Sequence, residues 1–141
     1  MNILLAIDGS ENSMHAVRCL IDHVRWFRDK PDIHLLHVHP PVPIGLATHP
    51  LSHDTLENYY REEGEAALSV AKATLLAADL GVTPHIHVGQ PADVIVKLAG
   101  ELDCELICMG SHGHGVLQNA ILGSVASKVL HLAHIPVLIA R

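Results

Sequence analysis

A glycine-rich loop followed by a predicted helix start carries the strongest chemical signal in this sequence. The loop reads Met109-Gly110-Ser111-His112-Gly113-His114-Gly115, and nine residues separate Gly113 from Gly123-Ser124. Glycine lets backbone come close to a ligand, and free N–H groups at a helix start favour phosphate oxygens. The segment therefore predicts an anion site with Ser124 as a hydroxyl donor. The alternative is that Ser124 only caps the helix and the glycines only form turns.

An alternation of strands and helices positions this loop. Short apolar runs predict strands at residues 3–7, 33–38, 83–88, 105–109 and 136–140. Apolar spacing and capping residues predict helices at 11–28, 54–79, 92–100 and 122–133. This order predicts a doubly wound α/β fold, a five-stranded parallel sheet with helices on both faces and strand order 3-2-1-4-5. Ligands of such folds bind at the carboxyl ends of the central strands, here strands one and four.

Composition narrows the class of protein. The chain has 141 residues, 49% of them hydrophobic, which fits one globular domain spanning residues 1–141. Nine Lys and Arg against fifteen Asp and Glu give a net charge of −6, with the basic residues scattered. That balance argues against nucleic acid as a partner. The opening MNILLAIDGS predicts neither a signal peptide nor a membrane anchor, so the expected compartment is the cytoplasm.

A proline-rich segment follows the second strand. Four prolines and a glycine lie between residues 40 and 53, where they exclude regular structure. The segment is predicted to be a long, mobile loop that tightens when ligand binds.

Thirteen histidines raise the question of a metal site. Three pairs recur at a spacing of two, which places both rings of a pair on one face of a strand: His37 with His39, His85 with His87, and His112 with His114. No cysteine or carboxylate completes a pair at ligand spacing, so we predict no metal site.

The three cysteines and the other nucleophiles predict no catalytic set. If residues 104–108 form a strand, the sulfurs of Cys104 and Cys108 share a face about 13 Å apart and cannot form a disulfide. Cys108 falls in a predicted buried strand, where thiols are usually inert. No Ser-His-Asp or Cys-His arrangement can be assembled from the sequence.

Known nucleotide motifs do not fit, but one family does. The loop is neither GxGxxG nor a Walker loop, which excludes the common dinucleotide and P-loop sites. The spacing Gly, two residues, Gly, nine residues, Gly-Ser resembles that of the universal stress protein family. The likeness extends to ILLAIDGSENS at the start, HVHPP after strand two, GQPADVI after strand three and IPVLIAR at the end.

The resemblance implies a flavodoxin-like fold and ATP binding, because members that keep this glycine spacing bind ATP. It implies that Asp8 and Val38 face the adenine, that Met109 and Gly110 lie along the adenosine, and that Gly113, Gly123 and Ser124 take the phosphates, with magnesium or manganese as a possible companion. The implied nucleotide contacts are completed by Ala6, Ile7, His112, His114 and Val125.

His114 stands where the family often has Arg or Lys. Asp8 has an alternative role, a turn former that binds the N–H groups of Gly9 and Ser10.

These observations lead to three hypotheses about function. The first is a cytoplasmic stress-response protein that binds ATP as a regulatory ligand without efficient turnover. The second is a slow ATPase or nucleotide-transferring enzyme, for which His112 and His114 are the candidate bases. The third is an interaction module with an empty site.

The last strand predicts how copies of the chain associate. Val137, Leu138 and Ile139 form an apolar edge strand, which needs cover. Antiparallel pairing with a second copy would provide it, and the family resemblance also implies such a homodimer.

Overall fold

A parallel sheet of five strands with helices on both faces organises the chain, as the sequence predicts. The computed structural model describes residues 1–41, 53–114 and 121–141, so most of the predicted mobile loop, including Pro43, Gly45 and Pro50, lies outside the described residues. The sheet order is β3-β2-β1-β4-β5, all neighbours being parallel. The elements in chain order are β1 (Asn2–Ala6), α1 (Glu11–Asp22), a short 3₁₀ helix (Val24–Trp26), β2 (Asp32–His39), α2 (His53–Ala77), β3 (Val82–Val88), α3 (Pro91–Glu101), β4 (Leu106–Gly110), α4 (Ser124–Leu132) and β5 (Val137–Ala140).

Two hydrophobic cores sandwich the sheet. Alternate residues of β1 point to opposite faces, so Ile3 and Leu5 pack against α1 and α2 whereas Leu4 packs against α3 and α4. All three side chains are fully buried. Burial on both faces explains the continuous apolar run of this strand and holds its carboxyl end rigidly at the centre of the fold.

Helix α1 is shorter than the predicted 11–28. It starts as expected, because the Ser10 side chain accepts a hydrogen bond from the N–H of Ser13. It ends at Asp22, and the C-cap residue His23 leaves the helical conformation while its backbone N–H and its ring Nδ1–H both donate to the carbonyl of Cys19. Val24 and Phe27 still pack against the core, which is why the apolar spacing continues past the end of the helix.

Helix α2 runs unbroken through Gly64. A Cβ at that position would lie 2.6 Å from Cγ2 of Ile86 in β3, so the glycine allows the helix to approach the sheet closely. Asp54 is already helical, since α2 begins at His53, and the predicted capping role of Asp54 is wrong. No helix in the described part of the chain is long and apolar enough to span a bilayer.

The two edges of the sheet differ in chemistry. At one edge, β3 contains Pro84, which lies opposite Leu35 of β2 and has no N–H to donate. At the other edge, β5 is apolar and only half-buried, and in the described structure it pairs with β4 alone.

The cysteines are all free thiols. Strand β4 begins at Leu106, so Cys104 precedes it and packs with α3 and α4, whereas Cys108 packs on the opposite face of the sheet. The expectation that both sulfurs share a strand face is therefore wrong, although the absence of a disulfide between them is confirmed. Burial, with a smaller contribution from Cys19, raises the pKa of Cys108 to about 12, so this thiol is protonated and unreactive at neutral pH.

Candidate functional site

A cavity of about 450 Å³ opens at the carboxyl ends of β1, β2 and β4, under the first turn of α4. All of the residues that the sequence analysis assigns to a nucleotide lie on its walls: Ala6, Ile7, Asp8, Val38, Met109, Gly110, His112, Gly113, His114, Gly123, Ser124 and Val125. The parallel topology accounts for this, because the strand ends of a doubly wound sheet meet at one edge.

Asp8 forms the turn that leads from β1 into α1. Its Oδ1 accepts hydrogen bonds from the backbone N–H of Ser10 at 2.9 Å and from the Ser10 hydroxyl at 2.5 Å. Asp8 therefore has the turn-forming role that was its alternative, through its hydrogen bonds to Ser10. The second oxygen, Oδ2, lies over Gly113, only 2.5 Å from where a Cβ would stand. One carboxylate therefore fixes the start of α1 and also contacts the glycine loop.

The start of α4 borders the cavity, and its N-cap residue is a glycine. Gly123 is the N-cap, and Ser124 is the first helical residue, so the alternative that Ser124 caps this helix is wrong. The N–H of Gly123 donates to the carbonyl of Ser111 at 2.8 Å, which ties the helix start to the end of β4. The first-turn N–H groups at Ser124 and Val125 border the cavity and form the positive end of the helix dipole.

The glycines of the loop have steric roles that differ from one another. A Cβ at Gly110 would lie 2.5 Å from the carbonyl oxygen of Asn12, so this glycine lets β4 pack against the first turn of α1. Close approach of a ligand is not needed to explain it. A Cβ at Gly123 would lie 3.2 Å from Cα of His112, which is tight but not excluded. Neither Gly113 nor Gly123 has a positive φ, so their requirement for glycine is steric.

Histidines and carboxylates supply the titratable groups of the cavity. His114 donates its Nε2–H to the backbone carbonyl of Asp8 at 2.8 Å, and Nδ1 of His112 lies 3.0 Å from the Ser111 hydroxyl. Asp8 and Glu63 are the carboxylates among the described lining residues, which include no Lys or Arg. Positive potential in the described cavity therefore comes from the α4 dipole and from backbone N–H groups.

His37 is buried against the cavity wall, a placement that the sequence analysis missed. Its Nδ1–H donates to the carbonyl of Ile7 at 3.0 Å, which fixes the tautomer and orientation of the ring. Burial is the largest effect on the ring and lowers the pKa of His37. The hydrogen bond to the Ile7 carbonyl opposes this effect, His39 lowers the pKa further, and Asp8 and Glu63 raise it by smaller amounts.

We expect His37 to make stability depend on pH. Because its pKa is lowered in the folded chain, the unfolded chain binds more protons through this ring, and stability rises with pH. The contribution is complete above the ordinary value of 6.5 and is lost as pH falls towards the folded pKa. Urea unfolding from about pH 7 to about pH 5 should show a falling free energy of unfolding, and His37→Gln should make the fall smaller. His15→Gln, on the exposed side of α1, is the control; an identical fall in His37→Gln would contradict the expectation.

Other wall residues also escaped prediction. They lie on other elements, or on the same elements at positions next to the predicted contacts. The lining residues that were not predicted are Ser13, Leu36, His37, His39, Pro40, Glu63, Ala67, Pro91, Ile95 and Ala126. The alternation of β2 was a usable signal for His37 and His39, which flank Val38 at the strand end. The sequence signal for Glu63 and Ala67 is only their spacing of four, which places them on one face of α2. Nothing in the sequence around them indicates that this face covers the cavity.

Comparison with known proteins agrees with the fold. The family model described as "Universal stress protein family" matches residues 1–141. Universal stress protein MJ0531 of Methanocaldococcus jannaschii is 32% identical over 142 residues, covering 99% of this chain and 81% of that protein.

Solved structures give the same result. The structure of MJ0577, from the same archaeon, has a TM-score of 0.84 at 29% identity, covering 99% of this chain and 94% of that one. A universal stress protein in complex with cAMP has the same fold, with a TM-score of 0.73 at 23% identity, covering 100% of this chain and 97% of that one. With a family match along its whole length, the chain belongs to the universal stress protein family.

Proposed function

We propose that this protein binds ATP in the cavity as a regulatory ligand of the stress response, without efficient turnover and in the cytoplasm. The observation that carries the proposal is the start of α4, where the N-cap is a glycine and the first helical residues border the cavity beside the glycine loop. The cavity volume is within the range of about 300–1,000 Å³ of small-molecule sites. The cAMP complex of a protein with the same fold also supports an adenine nucleotide.

The charge of the cavity favours a divalent cation with the nucleotide. Among the described residues, no Lys or Arg lines the cavity to balance a triphosphate, and Asp8 and Glu63 add negative charge. Magnesium or manganese bound mainly through the phosphates would lower this repulsion, as these ions commonly do in nucleotide sites.

The two candidate bases for hydrolysis, His112 and His114, both make contacts within the cavity wall. Nε2 of His114 donates to the Asp8 carbonyl, and Nδ1 of His112 is within hydrogen-bond distance of the Ser111 hydroxyl. Both rings are thus used in positioning the loop. Steady ATP hydrolysis that disappears in His114→Ala would favour the alternative, a slow ATPase.

The two ends of the cavity are expected to respond differently to substitution. Ser124→Ala removes a hydroxyl donor at the phosphate end and should weaken ATP binding about ten- to a hundredfold, with a smaller effect on AMP. Asp8→Asn keeps an oxygen for Ser10 but removes the charge at the adenosine end, so its effect should be similar for the two nucleotides. Isothermal titration of wild type and both variants with Mg-ATP and AMP measures the difference.

Two outcomes would contradict this assignment. Equal losses for ATP and AMP in Ser124→Ala would move the phosphates away from the start of α4. Absence of any binding by the folded wild-type protein would reject ATP as the ligand and favour an interaction module.

We further propose that two copies associate through β5. The strand lies at the edge of the sheet, and Val137, Leu138 and Ile139 are each only half-buried in the isolated chain. Pairing β5 with its copy would satisfy the edge and cover these side chains.

Val137→Lys should weaken this association by at least about tenfold, which corresponds to about 1.4 kcal/mol of association free energy. Sedimentation equilibrium of wild type and variant measures the change, with Lys97→Ala on the exposed side of α3 as a control. A monomeric wild-type protein at micromolar concentration would rule out the dimer.

A further inference from the structure

Histidines from two strands meet on the outer part of the sheet, away from the cavity. His34 of β2 is in register with Thr83 of β3, and His85 follows two residues later, so the side chains of His34 and His85 point to the same face. Both are half-buried, whereas Thr83 and His87 on that face are exposed. The helices that cover the centre of this face thus leave the imidazoles accessible at its rim.

The nitrogens of the two rings are unusually close. Nδ1 of His34 lies 3.1 Å from Nε2 of His85, and the ring centroids are 5.2 Å apart. The repeats within one strand are wider, with centroids 6.3 Å apart for His37 and His39 and 6.5 Å for His85 and His87. Two neutral rings at 3.1 Å share one proton, one nitrogen donating and the other accepting.

This separation also suits two ligands of one metal ion. Imidazole nitrogens bind Zn²⁺ at about 2.0–2.1 Å, which places two of them about 2.9 Å apart at a right angle and about 3.4 Å apart at a tetrahedral angle. The observed 3.1 Å lies between these values, so the separation of the two nitrogens needs little change, and each ring has to turn only so that its lone pair points to the ion rather than to the other ring. Because the rings project from paired strands of one sheet, their spacing is largely preorganised.

We propose that His34 and His85 form a binding site for a divalent transition-metal ion of the class that prefers imidazole, namely Zn²⁺, Cu²⁺ or Ni²⁺. On binding, the shared proton moves to the outer nitrogen of its own ring, so both inner lone pairs face the metal and no proton is released from the neutral pair. Water completes the coordination, and His87 is the neighbouring imidazole on the same strand face. Mg²⁺ and Ca²⁺ prefer oxygen ligands and are not expected to bind here.

A second cluster provides the internal comparison. Among the described residues, His53, Asp54 and Glu57 place three possible ligand atoms within 4.8 Å of one another at the start of α2. All three residues are exposed, and His53 lies 3.4 Å from the carboxylate of Glu57 as an ion pair. Nothing else at this cluster indicates a ligand, so it serves as a control for adventitious binding.

The test uses Zn²⁺ alone with the full chain and no nucleotide. Competition against a chromophoric chelator should reveal one site in the wild type that is tighter than the rest, and His34→Gln and His85→Gln should each weaken it at least about tenfold. His53→Gln and His15→Gln should leave it unchanged. Melting curves without metal verify that each variant is folded.

A measurement on the wild type avoids dependence on variant folding. In NMR spectra of the imidazole nitrogens, substoichiometric Zn²⁺ should shift Nδ1 of His34 and Nε2 of His85 before those of other histidines. The site is rejected if other rings shift first, or if the tightest site is lost in His53→Gln and kept in His34→Gln. Because ATP is absent, neither result depends on the function proposed for the cavity.

Discussion

Gly113→Val is expected to abolish measurable ATP binding in a protein that remains folded. The loss should exceed about a hundredfold in affinity, or about 2.7 kcal/mol. The physical reason is steric. A Cβ at this position would lie 2.5 Å from Oδ2 of Asp8, so the valine must displace that carboxylate, the loop or both. The atom that the valine would meet belongs to the side chain of Asp8, which can rotate away, so the protein should remain folded.

The loss could come from displacement of Asp8 or from a valine side chain that fills the space of the phosphates. Gly113→Val in the wild-type and in the Asp8→Ala background separates these two causes. In Asp8→Ala, whose own affinity for ATP is measured first, the clash with the carboxylate is absent, so adding Gly113→Val should remove the binding that remains if the valine occupies the space of the phosphates. Titration calorimetry with Mg-ATP measures each variant, with Gly81→Ala as the control, since a Cβ at Gly81 meets nothing within 4 Å. Wild-type affinity in Gly113→Val would reject this loop as the phosphate site.

Gly110→Ala is expected to destabilise the fold by about 3 kcal/mol, at the upper end of the usual cost of overpacking. The added Cβ would lie 2.5 Å from the carbonyl oxygen and 2.7 Å from the carbonyl carbon of Asn12. These are backbone atoms in the first turn of α1, so they cannot rotate away. Relief requires α1 to move from β4, which opens the core between them.

Two other glycines calibrate this effect in chemical unfolding experiments. Gly64→Ala would meet the Ile86 side chain at 2.6 Å, which can adjust, so its cost should be smaller than that of Gly110→Ala. Gly100→Ala meets nothing within 4 Å in α3 and should be neutral or stabilising. A cost for Gly110→Ala no greater than that for Gly64→Ala would contradict the interpretation.

The fold was predictable because its signals are local. The apolar run of β1 and the alternation of strands with helices were enough to predict the sheet order, which is confirmed. Boundaries were less predictable where side chains compete with the backbone. Helix α1 ends at Asp22, where the His23 ring shares the Cys19 carbonyl with the backbone N–H, although the apolar spacing continues to Phe27.

The cavity walls were predictable where a wall is the end of a strand or the start of a helix. Ser124 and Asp8 are of this kind, since the loop and the turn that hold them have their own sequence signals. Glu63 is not, because its place above the cavity depends on how α2 packs across the sheet. The reason that Gly110 is glycine was equally inaccessible, since it lies in a contact with Asn12, which is remote in sequence.

The unlike edges of the sheet bear on how far assembly can proceed. Pro84 removes a backbone donor from the β3 edge, and the polar histidines beside it disfavour burial against another strand. The β5 edge has no such block within the strand. A chain with one receptive edge can add one copy of itself, edge to like edge, and then has no receptive edge left. The dimer proposed through β5 would therefore be a finite, symmetric particle, and it would leave no free edge for the open-ended fibres that two receptive edges permit.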